Sequence, residues 1–280
     1  MNLTPREKAF THGVLAFASA LAVFPVLWVL STSLKAEADI YRPGAGGLVP
    51  TRPTIEAYRQ VLTVNNGAFI TWFRNSLVVA GATAVIGTFL SAGAAFAFSR
   101  YKFVGKGALG FFFLLTQMFP GAVLLVPLYF LLQRMGLLGT FSGLIAAYAT
   151  TSLPFGVWML KGYFDTIPTT LDEAATVDGL GPFGVFWRIV APLALPGIAV
   201  TGFFAFLTAW NEYMFALAFM TGDDKLLLPV GMAAAFGDQY QTKWHLMAAG
   251  SMMTTAPVLL VFVLCQRWLI GGLTAGGVKE

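Results

Sequence analysis

The chain runs apolar, again and again, for about the thickness of a bilayer. From Ala9 to Leu34 only a few small or polar residues interrupt it, and comparable runs recur at about 73–99, 108–133, 142–162, 196–220 and 246–270. Crossing a hydrocarbon core of roughly 30 Å takes about 20 such residues as helix, because in lipid every backbone N–H and C=O must be paired within the segment. Charged residues are only 11% of the 280 and hydrophobic ones 57%, whereas a soluble domain carries about 25% charge. Lipid is therefore the main solvent. The reading is an all-α polytopic membrane protein with about six transmembrane helices, the first over 11–34. A single transmembrane domain occupies 1–280, with its six-helix core at 11–270 and short tails at 1–10 and 271–280.

Pro25, Pro120, Pro127, Pro154 and Pro257 fall inside these runs. They predict kinks, not breaks, because packed neighbours can pair the freed backbone groups. The second run repeats small residues at fourfold spacing, Gly87, Ser91, Ala95 and Ser99, which predicts close approach of another helix. The first run is too long for the roughly 7–15 residue apolar region of a signal peptide, despite Arg6 and Lys8 ahead of it and Ala36 and Ala38 after it. Basic residues in short connections mark the cytoplasmic side. Arg100, Lys102 and Lys106 lie between the second and third runs with no acid among them, which puts both termini on the cytoplasmic side. The whole-chain count, nine basic residues inside and eight outside, decides less, since most of the outer ones sit in longer loops.

The net charge of +4 is what membrane topology already recruits and calls for no nucleic acid. Cys265 is alone, so no internal disulfide can form; it reads as a small apolar residue facing lipid or helix. Neither His12 nor His245 has a companion at ligand spacing, so no metal site is expected.

Between the fourth and fifth runs lies a connection too patterned to be slack. Thr170 and Glu173 stand at capping-box spacing, so a helix is expected to start at Thr170, and Gly179 is placed to end it. Leu171, Ala174 and Ala175 share one face of that helix. Two turns are marginal alone in water, so something must hold them. Pro182 opens a second helical stretch in which Phe183, Phe186, Trp187 and Val190 follow i, i+3, i+4, i+7 spacing; it can lie on the bundle and present the first helix outward.

This segment, about 163–192, resembles the EAA loop of bacterial ABC importers: Glu173-Ala174-Ala175, then Gly179, Ile189 and Pro192, with Ala191 where that pattern has Leu. The tail from Gln266 through Leu273, Thr274, Gly276 and Gly277 to Lys279, the run Gln117-Met118-Phe119-Pro120 and the segment Lys161-Gly162-Tyr163-Phe164 are similar to the MalG-like permeases of maltose-type importers. The resemblance covers most of the chain. It implies the type I ABC importer permease fold, a place in the bacterial inner membrane and a sugar cargo of the maltose, maltodextrin or trehalose class.

It also implies roles. Glu173, Ala174, Ala175 and Gly179 would form a coupling helix seated on the ATP-binding subunit, and Thr274, Gly276 and Gly277 would touch that subunit from the tail. Glu173 either gives a charged contact to a partner arginine or caps its own helix, or does both. The outer segment Thr221–His245, with Asp223, Asp224, Asp238, Tyr240 and Trp244, would meet an extracytoplasmic sugar-binding protein, with a passive re-entry loop as the alternative. The other implied partners are a second, MalF-like permease subunit and a dimeric, MalK-like ATPase that binds ATP and Mg. No cofactor is expected in this chain.

Trp210-Asn211-Glu212-Tyr213 falls deep in the fifth run. A carboxylate there costs roughly 3 kcal/mol on insertion scales and should face the bundle or a wet cavity. Trp210, Asn211, Glu212 and, more weakly, Gln117 are therefore candidates for a substrate path, with an interhelical hydrogen bond as the other reading of the carboxylate. No phosphate-binding loop is present: Gly105-Lys106-Gly107 lacks the Ser or Thr that must follow the lysine. The rivals are an ion-driven secondary transporter, which would pair ionisable residues at mid-membrane or show inverted repeats, and an intramembrane enzyme, which would need a nucleophile with its base. Glu212 stands without such a partner in the sequence.

Overall fold

A computed structural model describes residues 4–41, 47–237 and 242–275, with side chains to Trp268. All regular elements in those residues are helices. Helix α1, Pro5–Ser33, begins earlier than the apolar pattern suggests. Thr4 and Glu7 close a capping box, with Thr4 N donating to Glu7 Oε2 at 2.7 Å and Glu7 N to Thr4 Oγ1 at 3.4 Å. The box pairs orphan donors of the first turn, and so extends the helix into residues too polar to read as a span.

Two compact units divide the chain, Met1–Ile70 with Gly231–Ala256, and Thr71–Val230 with Pro257–Glu280. In the first, none of the most apolar window of α1 is buried by protein, which suits a helix solvated by lipid. Beyond it come α2, Glu37–Ile40, and α3, Glu56–Thr63. Helix α3 and its approach are tied back to the end of α1 by Ser33 Oγ with Tyr58 Oη at 2.8 Å and by Thr54 N donating to Leu34 O at 2.9 Å.

The second unit is organised on α4, Ala68–Arg100. Next come α5, Lys106–Met118, and α6, Gly121–Arg134, then α7, Phe141–Phe164, and the short α8, Thr170–Val177. A further stretch begins as α9, Pro182–Val185, widens to a π turn at Phe186–Val190 and ends as α10, Ala191–Leu193. After it come α11, Leu195–Trp210, and α12, Met214–Phe219, while α13, Leu228–Phe236, and α14, Trp244–Ala275, are each divided between the two units.

Among the described residues four helices are long and apolar enough to cross a membrane, and up to six spans result if each of two bent pairs counts as one. The small-residue stripe of α4 is a packing seam against α7. Ser91 and Ala95 are buried, a Cβ on Gly87 would come within 3.1 Å of Ser152 Oγ, and one on Gly156 would run into the Ser91 side chain.

Three expectations are corrected. The third span is no kinked helix: α5 and α6 meet at 106°, where Phe119 is extended and Pro120 opens the next helix, because the residue before a proline is pushed out of the helical region. Pro25, Pro127, Pro154 and Pro257 lie inside continuous helices. The fifth span ends at Trp210, short of the expected 220. The outer segment is also no plain loop, since α13 occupies its middle with Leu227, Leu228, Val230 and Phe236 buried. Asn75 Nδ2 donates to Asp224 O and Leu226 O at 2.9 and 3.1 Å, and Leu228 N donates to Ser76 Oγ at 2.8 Å, so α4 supplies the partners that let this backbone pack. Of the residues singled out there, Asp238 and Tyr240 lie outside the described residues.

Candidate functional site

Helix α8 is held from beneath. Ala175 is buried among Phe164, Ile167, Val185, Phe186 and Val190, while Leu171, Glu173, Ala174 and Val177 are exposed, Val177 at 88%. The face expected to gather Leu171, Ala174 and Ala175 is thus split, with one alanine anchoring the helix and the other facing out. The stretch after Pro182 keeps only half of the face its spacing predicts: Phe186 and Val190 are buried, but Phe183 and Trp187 are exposed, since the widening to a π turn at Phe186–Val190 departs from the 3.6-residue period, and Phe186 packs on Phe96 at 5.1 Å between ring centres. Ala191, at the position of the departure from the EAA pattern, is also buried.

The end of α8 is a Schellman turn. Gly179 N donates to Thr176 O and Leu180 N to Ala175 O, both at 3.0 Å, with Gly179 at φ +87°, a conformation that favours glycine. The helix starts at Thr170 as expected, but without the expected cap. Thr169, not Thr170, precedes the first turn and no side chain caps it, so Thr170 and Glu173 form no capping box. Helix entry one residue earlier moves the N3 position to Asp172, whose carboxylate turns instead to Arg100, leaving Glu173 exposed.

Arg100, the last residue of α4, enters this region from far away in sequence. Its Nη1 donates to Phe164 O at 3.1 Å and to Ser99 Oγ at 3.2 Å, and its Nη2 to Ile167 O at 3.0 Å. Nε lies 2.5 Å from Asp172 Oδ2, with the arginine side chain only 7% exposed. Beside it, Asp165 accepts from Ser99 Oγ at 2.7 Å and Lys161 Nζ at 2.6 Å. Partial burial alone would raise the Asp165 carboxyl, but the bonds from Lys161 and Ser99 and the charges of Lys161 and Arg100 outweigh it and hold the group below the ordinary aspartate range. In the sequence Arg100 served only as a marker of orientation and Lys161 as part of the family resemblance. Only Lys161–Asp165, at i,i+4 spacing, was visible as a pair.

The second cluster forms where α11 stops. Asn211 ends the helix, its Nδ2 donating to Leu207 O at 2.9 Å. Glu212 then caps α12, its Oε1 accepting from Phe215 N at 2.8 Å and its Oε2 from Ala216 N at 3.1 Å and Tyr148 Oη at 2.7 Å. The bond to Tyr148 on α7 is the interhelical reading of this carboxylate. Trp210 is buried, stacked on Phe206 with ring centres 5.5 Å apart, while Asn211 and Gln117 are exposed. Of the tail residues, Thr274 has a helical backbone, since α14 runs on to Ala275; its side chain, and Gly276 and Gly277, lie outside the described residues. Among the described residues no three His, Cys, Asp or Glu side chains are grouped to hold a metal ion.

Residues 84–273 match the family described as binding-protein-dependent transport system inner membrane component. This chain belongs to that family. The matched span contains α8, the Arg100 cluster and the Glu212 cap, so both clusters are parts of a permease. The chain is similar along its length to the inner membrane ABC transporter permease protein YcjP of Escherichia coli (38% identical, covering 95% of this chain and 94% of that one). It is similar as well to the maltose/maltodextrin transport system permease protein MalG of Salmonella typhimurium (37%, 96% and 95%). In structure it resembles a chain of a bacterial ABC transporter involved in import of the acidic polysaccharide alginate, with a TM-score of 0.77 at 22% identity over 95% of this chain and 99% of that one. That likeness establishes the fold, the type I importer permease fold. Several apolar helices and the family together make the chain a multi-pass membrane permease of the ABC-importer type.

Proposed function

We propose that this permease imports sugars of the maltose, maltodextrin or trehalose class, and that α8 is the helix through which a separate ATPase drives it. The observation that carries the reading is the build of α8: two turns, anchored inward by one alanine and one ion pair, with Leu171, Ala174 and Val177 presented outward as an apolar face. A helix so short is not stable by itself, and an exposed apolar face suits seating in a groove. Similarity to a maltose/maltodextrin permease over nearly the whole chain supports the cargo class.

In this reading both termini and α8 are cytoplasmic and the chain forms one transmembrane domain. ATP and Mg are bound by a dimeric, MalK-like ATPase and not by this chain. A MalF-like permease completes the pathway, and an extracytoplasmic sugar-binding protein meets the segment that contains Asp223 and Asp224. Glu173, exposed and uncapped, is free to pair with a cation of the ATPase, Gly179 sets the end of the coupling helix, and Thr274, Gly276 and Gly277 add a tail contact. On the substrate path, Asn211 and Gln117 carry the role, because Trp210 and Glu212 are committed to internal partners.

The test is copurification of the chain with its neighbouring subunits in detergent, comparing wild type with Glu173→Lys and assaying ATPase activity and sugar uptake. An ATPase that copurifies with wild type and is released or uncoupled by the substitution is the expected result. Recovery of an active transporter with no ATPase would point to ion-driven transport instead.

A further inference from the structure

The buried guanidinium of Arg100 links four pieces of chain. It ends α4, closes the carbonyl end of α7 through Phe164 O, holds the turn to α8 through Ile167 O, and reaches α8 itself through Asp172. Exposed carbonyls at a helix end carry the negative pole of the helix dipole, so a cation at Phe164 is placed where it is favoured. The fork geometry of arginine lets one side chain serve both carbonyls and the carboxylate, which the single ammonium of lysine cannot do.

Stability alone does not account for the pair. The Asp172 side chain is 16% exposed, its Oδ1 has no hydrogen-bond partner, and Arg100 Nε, though 2.5 Å from Oδ2, is not aligned for a hydrogen bond. Drawing charges out of water is costly, and an imperfectly bonded buried pair offsets little of that cost; fixing the register of one element on another is the best-attested use of such pairs. Here the elements in register are α8 and the long helix α4.

We infer that Arg100 is a positioning residue that makes α8 and the end of α4 move as one body, so that Asp172 is the point at which force on α8 enters the membrane helices. The apolar contact of Ala175 holds α8 against the same floor but has no direction, whereas the ion pair fixes where along α4 the helix sits. The inference rests on α8 being the coupling helix.

The experiment uses the assembled transporter in proteoliposomes and reads sugar transported per ATP hydrolysed for wild type, Asp172→Asn and Asp172→Glu. Asp172→Asn keeps the shape and the two carbonyl bonds of Arg100 and removes only the charge on α8. It should assemble normally and lower the transport-to-ATP ratio by about fivefold or more, the low end of ordinary coupling between sites. Asp172→Glu, which keeps the charge, should recover most of the ratio. A wild-type ratio in Asp172→Asn overturns the inference, as does equal damage in both variants, which would mark a packing role. If Asp172→Asn does not assemble, Arg100→Lys carries the test: assembly with a lowered ratio supports the link and a wild-type ratio overturns it. Failure of the coupling-helix reading itself looks different, because the wild type would then show no ATPase dependence at all.

Discussion

Glu212 and Asp172 are both carboxylates drawn away from solvent in the same unit, and they are satisfied by opposite means. Glu212 takes three neutral donors, two of them backbone N–H groups three and four residues on and the third the hydroxyl of Tyr148. Asp172 takes a guanidinium from the far end of α4, with one oxygen left unbonded. The first arrangement is local and complete, and locks a break between two helices in place. The second is long-range and incomplete, and ties a surface helix to a distant element. Completeness suits a fixed structural joint. A link with spare bonding capacity suits a part that carries load between elements.

The largest effect that could break this contrast is at Glu212. Glu212→Ala removes the cap of α12 and leaves the Tyr148 hydroxyl without its acceptor. Hydrogen bonds within membranes are worth roughly 0.6 kcal/mol on average and up to about 1.7, and a lost cap costs about 1 kcal/mol, so a loss of about 2–3 kcal/mol is expected. Denaturant-induced unfolding in detergent measures it. Tyr148→Phe, which removes only one of the three bonds, should lose about 1 kcal/mol. Should Glu212→Ala unfold like wild type while uptake is abolished, the residue belongs to the substrate path and the structural-joint account is wrong.

Gly179→Val sharpens the other side. A Cβ there meets nothing within 4 Å, so the cost comes from φ +87° alone, roughly 1–2 kcal/mol for a residue with a side chain. That is enough to disturb the last turn of α8 without touching the membrane helices. The variant should insert, assemble and unfold nearly as wild type yet lose most of its uptake, read as uptake per recovered complex. Normal uptake would show that the exact end of α8 is immaterial.

What sequence could show divides along the same line as the two clusters. Apolar runs, the small-residue seam of α4, Gly179 as a stop and Pro182 as a start were legible because each is a property of neighbouring residues. The break at Pro120 was underestimated, since a proline inside an apolar run gives no measure of how far its neighbours will repair it. Glu212 read as a mid-membrane carboxylate because the end of α11 carries no glycine or proline to announce it. Its cap to Phe215 and Ala216 is local, and an acidic residue just ahead of a short apolar helix was the available signal. The Arg100–Asp172 pair had no such signal. Only the fold brings residues 100 and 172 together, and the Thr170–Glu173 spacing pointed to a local cap that the ion pair displaced.

Asp165 is where the smallest effect separates charge from neutral bonding. Its folded form titrates below the ordinary aspartate value, near 3.9, so ionised Asp165 contributes to stability above that value. The contribution begins to fall as pH drops through the ordinary value and is gone once pH passes below the lowered native one. The group is well exposed, so solvent screening keeps the contribution small. The difference in thermal midpoint between wild type and Asp165→Asn should therefore stay level from about pH 7 to about 5 and narrow only below about 4. Narrowing already above pH 5 would mean that Lys161 and Ser99 do not hold the carboxylate in its charged form. The anchor beside Arg100 would then rest on neutral hydrogen bonds, as the Glu212 joint does, and the contrast between the two clusters would narrow to Asp172 alone.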